Sequence, residues 1–373
     1  MSRSDRSSPV RQRLAPTDVA SEALGDPIRL QTQLDEQRRA VDTDFFDITL
    51  RELVRMVEED ELIISPEYQR QFRWFERTQS ALIESFLLGL PIPAVFVAAN
   101  ATATWEVVDG LQRIGTIVRF MGNAETRAKD PQTKYPLKLS ELETLTSFNG
   151  LTFENLPRSI QFLLEKRFVR VQVLNDKSDS EVRYELFRRL NAGAVALSPQ
   201  EVRACVYRGE FNDLVERLSA DDKFKGLLKL KRSDQTNGTA EELVVKFFAY
   251  RDWADKFDGR VTHFLNEYME SRKTPRGNLL ADEQSFLKAV EAVAEVVDGG
   301  PFLRPKVSTT PLNQLEPALV AAANLLKRKK KVEPLADWLL DEEFLQYSTK
   351  GTNTRNALKG RIRRAEELLS GQP

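Results

Sequence analysis

Hydrophobic residues change their spacing along the chain, and the change divides it into three parts. Between residue 43 and about residue 175, short apolar runs of strand length alternate with amphipathic stretches of helical period. After residue 175 only the helical period continues. Residues 1–42 contain no aromatic residue and are rich in Ser, Arg, Gln and Asp, which is typical of a disordered basic tail. The pattern predicts an α+β protein, with an α/β domain over 43–175 and an all-helical domain over 176–373.

The same pattern predicts the individual elements. The predicted strands cover residues 46–50, 62–64, 94–98, 105–108 and 168–173. The predicted helices of the α/β domain cover residues 50–57, 76–88 and 111–120. The polar, turn-rich stretch 122–160 predicts little regular structure. The main predicted helices of the second domain cover residues 182–190, 241–250, 282–297, 312–331 and 352–369.

Composition excludes several classes of protein. Hydrophobic residues make up 41% and charged residues 30%, a globular balance that excludes wholesale disorder and a collagen-like chain. Lys and Arg number 55 against 56 Asp and Glu, so a nucleic-acid surface would have to be a local patch. Cys205 and His263 are the only residues of their types, which excludes disulfides, cysteine zinc clusters and HNH-type nuclease sites. With no apolar run of 18 residues, we expect a soluble, cytoplasmic protein.

Residues 64–74 mix cationic and aromatic side chains. Arg70 and Arg73 alternate with Tyr68 and Trp74, and Gln69 lies among them. Guanidinium groups pair with phosphates and aromatic faces stack on bases, so this mixture suits a nucleotide or a nucleic acid. A connector whose aromatic residues pack on the core while the arginines face water fits the same pattern.

Residues 105–117 place a Gly-containing turn between a buried strand and a helix. This geometry directs backbone N–H groups and the positive end of the helix dipole towards one point, which suits a phosphate. Gly110 would permit close approach of the ligand, and Arg113 lies in the first helical turn. Asp109 would hold Mg²⁺ or cap the helix, and Gln112 would orient a water or face solvent. No Walker or dinucleotide-binding glycine motif occurs in the chain.

Two further segments carry candidate residues. Ser198 and Glu201 form a predicted capping box, which leaves four functional candidates in that region: Arg188, Arg189, Asn191 and Arg203. A basic stretch near the C-terminus contains Lys359 and Arg363, which are either nucleic-acid contacts or solvated charges.

Three motifs occur in one order and together resemble the N-terminal domain of GmrSD-type restriction endonucleases. The motifs are Pro66-Glu-Tyr-Gln-Arg70 with Trp74, Val107-Val-Asp-Gly-Leu-Gln-Arg113, and Leu190-Asn191 followed by Leu197-Ser-Pro-Gln-Glu-Val-Arg203. The resemblance extends from about residue 45 to residue 270. It implies a ParB/sulfiredoxin-like α/β core, Mg²⁺-dependent binding and hydrolysis of an NTP, and a cytoplasmic role in defence against foreign DNA.

The resemblance also implies roles for individual residues. Gly110 and Arg113 would contact phosphate beside Asp109 and Gln112, and these last three would be catalytic. The rest of the nucleotide site would comprise Gln69, Arg70, Asn191 and Arg203. A nucleic-acid surface would include Tyr68, Arg73, Trp74, Lys359 and Arg363.

Two departures from the family pattern modify these expectations. The usual Asp-Gly-Gln-Gln-Arg motif has Leu111 in place of its first glutamine. The single histidine excludes the family's HNH nuclease from this chain, so the resemblance implies a sensor that acts with a separate nuclease. The other implied partners are DNA, either modified or unmodified, and a second copy of the chain in a homo-oligomer. Two alternatives stay open: a non-catalytic DNA-binding module and a metal-dependent ParB-like nuclease.

Overall fold

A computed structural model describes most of the chain and confirms the predicted α+β architecture. The described residues are 27–39, 42–64, 74–100, 103–129, 133–175, 180–190, 197–273, 278–349 and 351–371. None of the helices among them is both long and apolar enough to cross a membrane.

Five strands form one mixed sheet. They are β1 (Thr43–Thr49), β2 (Leu62–Ile63), β3 (Val95–Ala99), β4 (Trp105–Asp109) and β5 (Phe168–Leu174). The strand order is β1-β5-β3-β4-β2. The β1–β5 and β3–β4 pairs are antiparallel, whereas β5–β3 and β4–β2 are parallel. Val171 of β5 lies opposite Phe46 of β1 on one side and Val95 of β3 on the other. These pairs define the register of β1, β5 and β3.

Six helices accompany the sheet: α1 (Pro27–Arg39), α2 (Leu50–Glu58), α3 (Glu76–Leu88), α4 (Leu111–Met121), α5 (Ala124–Ala128) and α6 (Arg158–Glu165). The helix α3 ends at Gly89 in the left-handed conformation, φ +75°, so the predicted stop signal is confirmed. Ile83 of α3 and Ile114 of α4 are fully buried with Val107 of the sheet, and they form the core of this part.

Two segments are more regular than expected. The helix α1 lies within the stretch that composition assigned to a disordered tail, and α5 lies within the polar stretch 122–160. Asn123 explains the second difference, because its side chain accepts a hydrogen bond from the Thr126 N–H at 2.8 Å and caps α5. Local capping chemistry can start a short helix without a long hydrophobic period.

The turn between β4 and α4 depends on glycine. Gly110 has φ +100° and is the N-cap residue of α4, a position expected for Asp109. A Cβ atom on residue 110 would lie 2.2 Å from Val95 Cγ1 of the neighbouring strand. The glycine therefore permits both the backbone conformation and the close packing of β3 against this turn.

The remaining helices form one continuous hydrophobic core with the α/β part. They are α7 (Ser180–Leu190), α8 (Pro199–Val206), α9 (Glu210–Ser219), α10 (Asp222–Leu227), α11 (Thr239–Trp253), α12 (Val261–Arg272), α13 (Leu279–Val296), α14 (Leu312–Lys327), α15 (Glu342–Thr349) and α16 (Arg355–Leu369). The predicted capping box starts α8, with both the Ser198 and the Glu201 hydrogen bonds in place. Phe247, Phe248 and Phe286 contact one another at the centre of the helices.

A network of five charged side chains, three of them buried and two partly buried, connects four of these helices. Glu242 of α11 binds Arg203 of α8 and lies 3.0 Å from Lys246. Lys246 in turn lies 3.1 Å from Glu316 of α14, and Glu316 faces Arg361 of α16 at 3.7 Å. The side chains of Arg203, Glu316 and Arg361 are no more than 2% exposed. The signs alternate along the network, so each buried charge has an opposite neighbour.

The network shifts the pKa values of two of its members, Lys246 and Glu242. Burial works against the charged form of Lys246, but Glu316 and Glu242 outweigh it and raise the pKa of the ammonium group. Burial likewise opposes ionisation of Glu242, yet Lys246 and Arg203 lower the pKa of its carboxyl group. Lys246 and Glu242 are therefore both charged at neutral pH.

We expect Glu316→Gln to lower the free energy of unfolding by about 3–5 kcal/mol, because buried Lys246 and Arg361 lose their common partner. Urea unfolding at pH 7 measures this change. Glu291→Gln is the control, since Glu291 pairs with Lys223 at the surface and its loss should have little effect. Equal effects of the two substitutions would contradict a special role for the buried network.

Gly110→Ala should destabilise the protein more than Gly299→Ala does. Both glycines have positive φ, so both substitutions incur a backbone cost of about 1–2 kcal/mol. Only at Gly110 would the new methyl group also collide with Val95, whereas the space around Gly299 is open. Thermal unfolding of the two variants separates the backbone cost from the cost of the collision with Val95. Similar unfolding temperatures would show that β3 does not constrain the turn.

Candidate functional site

The Asp-Gly-Leu-Gln-Arg element lies where β4 ends and α4 begins. Arg113 Nη2 donates a hydrogen bond to Asp109 Oδ2 at 2.8 Å, which joins the end of the strand to the first helical turn. The Arg113 side chain is 14% exposed and the Asp109 side chain 38% exposed. The carboxylate is thus open to water, while the guanidinium is held against the protein.

The guanidinium of Arg113 keeps unused hydrogen-bonding capacity. Its Nε is buried and has no hydrogen-bond partner among the described residues. Arginine carries five donors, and the structure shows only the one bond to Asp109. The side chain also lies at the positive end of the α4 dipole. Together these features suit a bound anion, above all a phosphate.

Gln112 connects the site to α3. Its Oε1 accepts a hydrogen bond from the Trp74 N–H at 3.0 Å. Gln79 Nε2 donates to the Trp74 carbonyl at 2.7 Å, and Arg119 Nη1 donates to Gln79 Oε1 at 3.1 Å. The amide oxygen of Gln112 therefore holds the backbone of Trp74 in place. A further role of Gln112 in orienting a water stays a prediction. Trp74 itself is partly buried against the core, which limits its use as a stacking surface.

Leu111 faces the protein interior. The residue is 9% exposed and lines a cavity of about 230 Å³ on the side formed by Leu62, Ile63 and Val118. The substitution that distinguishes this chain from the usual motif is therefore accommodated by the core beside β2. It leaves the Asp109–Arg113 pair in place.

The residues at this site fit a magnesium ion only in combination with a ligand. Among the described residues, no group of three or more His, Cys, Asp or Glu side chains is placed to hold a metal. Asp109 supplies a single exposed carboxylate. Mg²⁺ commonly binds through one or two carboxylates plus the phosphates of its substrate, so Asp109 fits a nucleotide-bound ion.

Several predicted residues do not join this site. Arg203 is 1% exposed, and its guanidinium binds Gln200 at 2.9 Å as well as Glu242. This differs from the expectation of a residue lining a nucleotide pocket, because a buried cation requires partners inside the protein. The other predicted positions of the nucleotide and nucleic-acid sites lie outside the described residues: Tyr68, Gln69, Arg70, Arg73 and Asn191.

The basic C-terminal stretch is neutralised by nearby carboxylates. Lys359 Nζ lies 2.6 Å from Asp255, and Arg363 contacts both Glu343 and Glu367. Asp255 and Glu343 are distant in sequence from the cations they pair with, and only Glu367 lies nearby. Counting charges along the chain therefore overestimated the positive charge of this stretch. A nucleic-acid contact at Lys359 and Arg363 stays a prediction that would require breaking these pairs.

The sequence analysis did not predict the cleft between α7 and α12, although two of its candidates, Arg188 and Arg189, line it. Tyr184, His263 and Asn266 line it, and sequence motifs point to none of them as a binding residue. Tyrosine and asparagine at buried helix positions give no periodic signal that distinguishes a binding residue from a core residue. Only the packing of the two helices brings these side chains together.

Comparison with known proteins identifies the part of the chain that contains the β4–α4 element. The N-terminal domain of the GmrSD restriction endonucleases matches residues 50–208, which run from α2 to just beyond α8. No curated protein matches the chain at a significant level. The matched segment contains Asp109, Gly110 and Arg113. Residues 50–208 therefore match the family of GmrSD restriction endonuclease N-terminal domains, as the motifs in the sequence led us to expect.

Proposed function

We propose that the chain is an NTP-binding and NTP-hydrolysing sensor of a DNA restriction system, acting with a separate nuclease. The family supports the link to restriction. The observation that carries the nucleotide part is the Asp109–Arg113 pair at the N-terminus of α4, 2.8 Å apart and joined by a glycine turn.

A bound phosphate would replace Asp109 as the partner of Arg113, so the Asp109–Arg113 ion pair would form only in the ligand-free protein. Arg113 and Asp109 neutralise each other, so no isolated charge has to be held near the protein surface. A phosphate would compete for the guanidinium and use its remaining donors in a bidentate contact. Backbone N–H groups at the start of a helix strengthen such a contact, since they point at the same anion.

Release of Asp109 from Arg113 would make its carboxylate available to Mg²⁺. The ion would supply charge neutralisation between the phosphates of the bound nucleotide. Arg113 would then stabilise the negative charge that develops on the transferred phosphoryl group, as cationic side chains do in other phosphoryl-transfer enzymes. Gln112 would keep the first turn of α4 in position through its bond to Trp74.

The described residues support the two alternative functions less well. A nuclease that cuts with metal ions alone requires a cluster of metal-binding side chains, and none is present in the part of the chain that the structure describes. A plain DNA-binding module requires free cations, but Lys359 and Arg363 are both paired with carboxylates. DNA, modified or not, and the nuclease subunit therefore enter the proposal through the family alone.

Arg113→Ala should weaken NTP binding by about 10–100-fold, because a charge-assisted hydrogen bond contributes about 1.5–3 kcal/mol. Calorimetric titration with ATP, GTP, CTP and UTP in Mg²⁺ measures the affinity. Arg170→Ala is the control, since Arg170 forms a comparable ion pair with Asp47 on β1. If the folded wild-type protein binds no NTP, the proposal is wrong. A steep salt dependence of DNA affinity without any effect of nucleotide would then favour the DNA-binding module.

Asp109→Asn should separate binding from hydrolysis. Without Mg²⁺ the variant should bind NTP at least as tightly as the wild type, because the phosphate no longer competes with a carboxylate for Arg113. With Mg²⁺, phosphate release should fall by at least about tenfold, since the only carboxylate of the element is lost. Asp47→Asn, which breaks the surface pair with Arg170, should alter neither property. Unchanged phosphate release by Asp109→Asn would refute a catalytic role for this residue.

A further inference from the structure

Two stretches of the helical region that contain no carboxylate lie side by side. Residues 223–233 and residues 299–315 include neither Asp nor Glu. Thr310 of the second stretch joins them, because its N–H donates a hydrogen bond to the Lys229 carbonyl at 3.0 Å and its hydroxyl donates to the Leu227 carbonyl at 3.0 Å. Both stretches lie beyond the segment that matches the family. The fold therefore brings together two segments that are free of negative charge.

The cations of these two stretches are unpaired, except for Lys223, which forms an ion pair with Glu291. The side chains of the others form no ion pair and no hydrogen bond with any residue in the described part of the chain. All of these unpaired cations are exposed except Arg304, which is half-buried. We call them the basic surface, which comprises Lys225, Lys229, Lys231, Arg232, Arg304 and Lys306.

Two lysines of the basic surface lie on the same side of an extended segment. Leu228 ends α10 in an extended conformation, with φ −101° and ψ 121°, and Lys231 is extended as well. Successive side chains of an extended chain point to opposite sides. Leu228 and Leu230 are half-buried, whereas Lys229 and Lys231 alternate with them and are exposed. Packing of the two leucines therefore directs both lysines towards solvent.

The carboxylates that are nearest in sequence have other positions or partners. Asp221 accepts a hydrogen bond from the Phe224 N–H at 2.9 Å and caps α10. Asp234 accepts a hydrogen bond from the Ser233 hydroxyl at 2.9 Å. The remaining neighbours line a separate cavity, as does the paired Lys223: Asp222, Glu291, Glu295 and Asp298. No cation of the basic surface lines that cavity, so the basic surface keeps its positive charge.

We propose that the basic surface binds the phosphate backbone of duplex DNA. Unpaired cations on one surface repel one another, and a polyanion with closely spaced charges removes that repulsion while releasing its own counterions.

The aromatic residues of the two stretches favour a duplex over a single strand. Both of them, Phe224 and Phe302, are buried. The two stretches therefore offer no exposed ring on which the bases of a single strand could stack.

The choice of DNA rests on the proposed function, whereas the position of the contact rests on the unpaired cations. The basic surface differs in this respect from Lys359 and Arg363, which are paired with carboxylates.

Binding of a fluorescent DNA duplex to the full chain, without nucleotide and at several salt concentrations, tests the proposal. The logarithm of the affinity should fall with the logarithm of the salt concentration with a slope of about −4 to −5, as expected for about five phosphate contacts. The double variant Lys229→Gln/Lys231→Gln should bind at least about tenfold more weakly in about 0.1 M salt, and its slope should be shallower by about 2. Lys327→Gln/Lys330→Gln is the control, because both lysines are exposed and lack a partner among the described residues but lie outside the two stretches.

A second double variant, Arg304→Gln/Lys306→Gln, tests the other stretch and should cause a comparable loss of affinity. Arg113→Ala should leave DNA binding unchanged, so a failure of NTP binding would overturn the proposed function without affecting this result.

The proposal is refuted if the wild type does not bind the duplex, if the control variant weakens binding as much as Lys229→Gln/Lys231→Gln, or if Arg113→Ala abolishes binding. Tighter binding of single-stranded DNA would also refute it. Tighter binding of polyglutamate than of DNA would refute it as well and would indicate an acidic protein as the partner.

Discussion

An ion that leaves water needs an opposite charge beside it, and this requirement governs how the helices beyond residue 180 pack. Glu242 lies between Arg203 and Lys246, and Glu316 lies between Lys246 and Arg361. Each carboxylate serves two cations. Since the five residues belong to α8, α11, α14 and α16, none of these helices can shift without separating a buried pair. The network thereby attaches the last helix of the family-matched segment to the last helix of the described chain.

A second ion pair connects the helical region to β4, the strand that ends at the candidate site. Glu106 of this strand is 1% exposed and forms an ion pair with Arg208, which follows α8. Three residues further on, the strand ends at Asp109. The helical region is thus connected to the strand that presents the Asp109–Arg113 pair.

Arg113 and Arg203 show why residue type alone does not tell an arginine with spare donors from one whose charge is used inside the protein. Both occur in motifs of the family, and both lie on short helices that follow a capping turn. Arg203 is enclosed by α11 and its guanidinium contacts Gln200 and Glu242. Among the described residues, Arg113 has only Asp109 as a hydrogen-bond partner and therefore has donors left over. The difference arises from α11, whose Glu242 follows Arg203 by 39 residues in the sequence.

The sequence by itself determined the features that depend on neighbours in the chain. Short apolar runs specified the five strands, Gly89 specified the end of α3, and Ser198 with Glu201 specified the start of α8. It also located the strand–turn–helix element around Gly110, because that geometry depends on local backbone conformation. Only the tertiary structure decided which charges are free, which polar atoms lack a partner, and where a cleft opens. Those properties depend on contacts between distant segments, and a one-dimensional pattern of residues does not contain them.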